Sequence, residues 1–93
     1  MRGILESDDY SEQCKTFGVT IKRLDEVLQI ATWAISRDAE AHELVEGTPL
    51  RVRFIEPYPG VPRLRIFFRI VDDNNVEMMG IERIEEDPSD PVN

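Results

Sequence analysis

Residues 50–75 read LRVRFIEPYPGVPRLRIFFRIVDDNN, and the period of this stretch decides the fold. Leu50, Val52 and Phe54 alternate with Arg51, Arg53 and Ile55. The same beat returns over residues 63–71, where Leu64, Ile66, Phe68 and Ile70 alternate with Arg63, Arg65, Phe67 and Arg69. Alternation of this kind sends successive side chains to opposite faces of a strand. The Pro and Gly of EPYPGVP make the connecting loop, so the two strands form a hairpin. DDNN is a tight turn, and VEMMGIERI, residues 76–84, returns as a third antiparallel strand. The apolar face of such a sheet must be covered, which leaves the alternate residues outward. The expected outer face therefore collects Arg51, Arg53, Arg63, Arg65, Phe67 and Arg69, a basic surface with an aromatic ring inside it.

Upstream the period is helical. Tyr10, Cys14 and Phe17 fall on one face of a short helix, with Ser7 or Asp8 as N-cap and Gly18 as its stop. A longer helix follows, capped by Thr20, with Ile21, Leu24, Val27, Leu28, Ala31, Ala34 and Ile35 as its apolar stripe. Gly3 to Glu6 reads as a short strand, and residues 39–48 as irregular or weakly helical. The expected class is α+β: two N-terminal helices packed on one face of a three- to four-stranded antiparallel sheet. One domain is expected over 1–86, with 87–93 an acidic, solvated tail.

The chain has 93 residues and a formal charge of −8, but the charge is segregated. Residues 49–71 hold five arginines against one glutamate, while the flanking segments are acidic. Screening over about 8 Å at physiological salt lets such a patch keep its own sign. Outward positions need polar side chains in any case, and arginine stems cover apolar surface well. Five cations that are all arginine nonetheless suit bidentate contacts to phosphate.

Other chemistry finds little support. The lone His42 has no cysteine beside it, so no metal site is expected. Cys14 reads as a small core residue, and one cysteine forms no internal disulfide, as suits the cytoplasm. Trp33 reads as core or as a partner contact, and Asp72 and Asp73 as turn residues. No Walker loop, GxGxxG or nucleophile elbow occurs, and no cofactor is expected. No apolar run approaches the ~20 residues that cross a bilayer, and the N-terminal residues carry no secretory signal. A cytoplasmic protein is expected.

The segment LRVRF…RLRIFFRIVDDNNVEMMGIERIEE resembles the C-terminal sheet of the RelE/ParE superfamily of bacterial type II toxins, in which two helices precede a meander. The resemblance implies a microbial-ribonuclease-like fold. It implies a ribosome-dependent mRNA endoribonuclease that inhibits translation, held by a cognate antitoxin protein. Carried over by position, Arg51 and Arg53 match a basic pair on the strand before the hairpin loop, and Arg65 the arginine at the scissile phosphate. Arg83 stands nearest to the family's further basic residue and is the second catalytic candidate. Arg63, Phe67 and Arg69 fall to RNA or partner binding. The tyrosine or histidine that follows in the cleaving branch has no counterpart, since no histidine follows His42 and no tyrosine follows Tyr58. The alternatives are a gyrase-poisoning ParE-like toxin, which needs no nuclease residues, and an inactive interaction domain that docks an acidic partner or a second copy of the chain as a homodimer.

Overall fold

Ser7 starts the first helix. Its backbone is extended, and its hydroxyl accepts the Tyr10 N–H at 3.1 Å, satisfying one of the donors a helix leaves free at its beginning. In this computed structural model, which describes residues 1–56 and 59–84, the strand β1 (Gly3–Glu6) leads into α1 (Asp8–Thr20) and α2 (Leu24–Asp38). A 3₁₀ turn (Ala39–Ala41) follows, then β2 (Glu43–Leu44), β3 (Leu50–Ile55), β4 (Leu64–Ile70) and β5 (Asn75–Arg83). The expected tail at 87–93 and Tyr58 lie outside the described residues.

Both helices are present, but the boundary between them differs from expectation. α1 passes through Gly18 and ends at Thr20. The chain then turns extended at Ile21, whose N–H donates to the Phe17 carbonyl at 2.8 Å and whose side chain is buried. Thr20 thus closes the first helix rather than capping the second, which follows Arg23. Sending both Ile21 and Leu24 into the core outweighs the continuation of either helix.

The class is α+β, while the sheet is larger than expected and mixed. Among the described residues five strands stand in the order β1-β5-β4-β3-β2, and β1 runs parallel to β5. A tight turn forces antiparallel pairing, but two helices separate β1 from the meander, so it can enter in either direction. The extra strand, β2, has only two residues, too few to show a period. Glu43 and Leu44 pair with Val52 and Arg51 of β3, and the Val45 N–H donates to the Leu50 carbonyl at 2.8 Å.

The core lies between the helices and one face of the sheet. Leu64, Ile66 and Phe68 of β4 and Val76, Met78 and Ile81 of β5 meet Tyr10, Leu24, Ala31 and Ile35. Three residues separate Met78 from Ile81, which should put them on opposite faces of a regular strand. A bulge at Met79 corrects the phase: Phe68 pairs with Met78 and Phe67 with Gly80. Side chains near the start of α1 hold it. The Ser7 hydroxyl donates to the Met79 carbonyl at 3.3 Å, and Gln13 Oε1 accepts the Ile81 N–H at 2.8 Å. Burial pushes the Tyr10 hydroxyl up, with Cys14 reinforcing the shift, and burial likewise pushes the Cys14 thiol up. Cys14 is a half-buried packing residue. No helix among the described residues is long and apolar enough to cross a membrane.

Candidate functional site

The register of β3 divides the arginines between two faces. Arg51 pairs with Phe68, Arg53 with Ile66 and Ile55 with Leu64, so these three look toward the helices. Leu50, Val52 and Phe54 pair with Arg69, Phe67 and Arg65, and look away from them. The expected single face carrying Arg51, Arg53, Arg65 and Arg69 therefore does not exist. The physical reason is Phe67. It faces out, and Val52 opposite gives it an apolar partner across the strands. Val52 is buried yet stands outside the helix-side core. With apolar residues on both faces of β3, hydrophobic alternation alone could not assign the sides.

On the open face Arg65 and Arg69 are matched. Arg65 pairs across the strands with Glu82, and its carboxylate accepts from the guanidinium. Arg69 Nε donates to Glu77 Oε1 at 2.8 Å. The bulge at Met79 places both glutamates on this face. The Arg65 guanidinium also lies over the Phe67 ring, 5.3 Å from its centre. Arg63 is exposed beyond the start of β4, with its carbonyl accepting the Ile84 N–H at 2.9 Å. Arg83 pairs with Leu64 at the exposed end of β5, on the helix side. Arg65 and Arg83, neighbours in the ladder, thus point to opposite faces.

At the helix-side edge Arg51 and Arg53 meet no acid among the described residues. Arg51 Nη1 donates to the carbonyls of His42 at 2.8 Å and Glu40 at 3.2 Å, the free carbonyl end of the 3₁₀ turn. Arg53 Nη1 lies 3.1 Å from His42 Nε2, and His42 Nδ1 lies 2.8 Å from the Asp38 carbonyl. A carbonyl only accepts and a guanidinium only donates, so Nδ1 carries the proton and Nε2 presents its lone pair. The ring stands edge-on to the buried Phe68, centroids 5.3 Å apart. Glu40, whose carbonyl accepts from Arg51, has its carboxylate taken by Arg2 at 2.6 Å. Among the described residues, neither Arg51 nor Arg53 is in an ion pair.

Arg53 also borders a cleft between α2 and β3, lined by Val27, Ile30, Ala31, Phe54 and Ile55 with Glu56 at its margin. Ile30 and Trp33 on the outer side of α2 and Leu44 on β2 are more than half exposed. From the sequence His42 reads as a surface histidine with no metal to hold, not as a site residue. Its surroundings come from a turn, a two-residue strand and a neighbouring strand, none of which leaves a spacing to read. Among the described residues no group of His, Cys, Asp and Glu could hold a metal ion. No known family model matches the chain, and no curated protein matches it.

Proposed function

We propose that this protein is a toxin-like relative of the RelE/ParE superfamily that cleaves ribosome-bound mRNA at the Arg51–Arg53 edge and is held by a cognate antitoxin protein in the cytoplasm. The observation that carries the reading is the unneutralised pair. In a chain of net charge −8, Arg51 and Arg53 stand together with backbone carbonyls and an imidazole as their partners. Only one nitrogen of each guanidinium is engaged in those contacts, which leaves donors for the oxygens of a phosphodiester. Arg51, held on two carbonyls, is a fixed donor for the charge that builds on a phosphorane-like transition state, and Arg53 stands beside it. Arg65, the family's phosphate arginine by position, is committed to Glu82 on the other face, so the reading rests on β3 and not on β4.

The test is mapping of mRNA ends on programmed ribosomes after addition of purified protein. Discrete new ends with the wild type and none with the Arg51→Ala, Arg53→Ala double variant support the reading. Intact mRNA with the wild type removes it. A second reading, a protein-binding toxin of the gyrase-poisoning kind, is favoured by the apolar cleft that Arg53 borders and by the exposed Ile30 and Trp33. An inhibited supercoiling reaction beside intact mRNA selects it.

A further inference from the structure

The resemblance supplies arginines but no group to take the proton of the ribose 2′-hydroxyl, since the expected residue beyond the last strand has no counterpart. Building on the RNA-cleaving reading above, we propose that His42 Nε2 is the proton acceptor of the reaction. The ring is held on two sides, by its Nδ1–H on the Asp38 carbonyl at 2.8 Å and by Phe68 at 5.3 Å between centroids. These contacts fix both the tautomer and the direction of the Nε2 lone pair. Arg53 occupies that lone pair at 3.1 Å, where a 2′-hydroxyl proton would sit. The charged groups around the ring are Arg53 and Arg51 from β3, with Asp38 contributing its carbonyl at the end of α2 and Glu40 directed to Arg2. Glu43, next in sequence, pairs with Val52 and so faces the open side. Among the described residues no carboxylate is in hydrogen-bond contact with the imidazole.

In the step, Nε2 takes the 2′-hydroxyl proton and the 2′ oxygen bonds to the adjacent phosphorus. The bond from phosphorus to the 5′ oxygen breaks, that oxygen leaves with the electron pair and takes a proton from water, and the hydroxide so formed takes the proton back from Nε2. The products are a 2′,3′-cyclic phosphate and a 5′-hydroxyl, with no oxidant, reductant or metal required. Arg53, displaced from Nε2, turns its guanidinium to a non-bridging phosphate oxygen beside Arg51.

The experiment compares single-turnover cleavage of end-labelled mRNA on programmed ribosomes by wild type and His42→Asn across pH. Asn keeps a donor for the Asp38 carbonyl and has nothing at the Nε2 position, and circular dichroism checks that the variant is folded. The expected result is a wild-type rate that falls on acidification as Nε2 takes a proton. His42→Asn should be at least about 100-fold slower, in line with the contribution of a positioned acid or base, and should lack that acid limb. Added imidazole should restore part of the activity of His42→Ala, which a purely structural histidine would not allow. Cleavage by folded His42→Asn within about threefold of wild type, or a wild-type rate flat with pH, overturns the assignment while leaving the arginine reading in place. A wild type that leaves the mRNA intact overturns both.

Discussion

Two pairs of arginines sit on adjacent strands of one sheet and have opposite fates. Arg65 and Arg69 on β4 face away from the helices and each meets a glutamate of β5. Arg51 and Arg53 on β3 face the helices and meet carbonyls and an imidazole. The difference is one of neighbours. β4 lies beside the strand that carries Glu77 and Glu82, whereas β3 lies between β4 and a two-residue strand and finds Phe68, Ile66 and Leu44 opposite its inward positions. A strongly acidic chain can thus keep a cationic edge, because neutralisation depends on which strand is adjacent and not on the total charge.

The sharpest way to break this contrast is to remove each pair in turn. Arg51→Ala with Arg53→Ala is expected to lower cleavage of ribosome-bound mRNA by about 100-fold or more, the scale of losing fixed donors at a developing charge. Arg65→Ala with Arg69→Ala should stay within about tenfold of wild type in the same assay. The reverse ranking would return the working surface to the open face.

The next effect concerns what keeps Glu82 opposite Arg65. Gln13→Ala leaves the Ile81 N–H beside the bulge without its acceptor, and urea unfolding should show a loss of about 1–3 kcal/mol. An unchanged denaturation midpoint would mean that the strand holds its phase without α1.

Smaller still is the matched pair itself. The Arg65 and Glu82 side chains are 40% and 47% exposed, so a double-mutant cycle with alanine should give a coupling of at most about 1 kcal/mol, weakening in salt. A larger coupling would make the open-face pair structural rather than a neutraliser.

The smallest effect tests whether the helix side titrates away from the arginine edge. Burial raises the Cys14 thiol, so its contribution to stability is present below the ordinary thiol pKa of about 8.5 and is lost as pH rises through the higher folded value. Thermal melts should decline on that alkaline side. Cys14→Ala should flatten the decline without altering cleavage.

Much of the architecture was legible in the residues. The alternation in 50–55 and 64–70 marks β3 and β4, and the spacing of Tyr10, Cys14 and Phe17 marks α1. The order of helices before a meander follows. Besides the parallel entry of β1 and the bulge at Met79, three features were not legible, each for a local reason. β2 is too short to show a period. The break at Ile21 is made by burial, against a Gly18 and a Thr20 that suggest other boundaries. The side to which β3 turns depends on a register set across an eight-residue connection, residues 56–63, and apolar residues on both faces hid it. The site inherited that last difficulty. Arg51 and Arg53 were visible as candidates, but their separation from Arg65 and their meeting with His42 exist only once β3 is paired on both edges.

The place of β1 carries a consequence for how the molecule is made. Its partner is β5, so Gly3 meets Asn75 and Gln13 meets Ile81 across 68 or more residues of chain. Such distant contacts cost loop-closure entropy and slow folding. Synthesis proceeds from the N-terminus, so the first strand and the first helix leave the ribosome long before their partner exists. Until residues 75–81 have emerged, β1 has nothing to pair with and α1 has no bulge to clasp. The hairpin of β3 and β4 can close earlier. The Arg51–Arg53 edge can therefore assemble on the nascent chain before the opposite margin of the sheet is sealed.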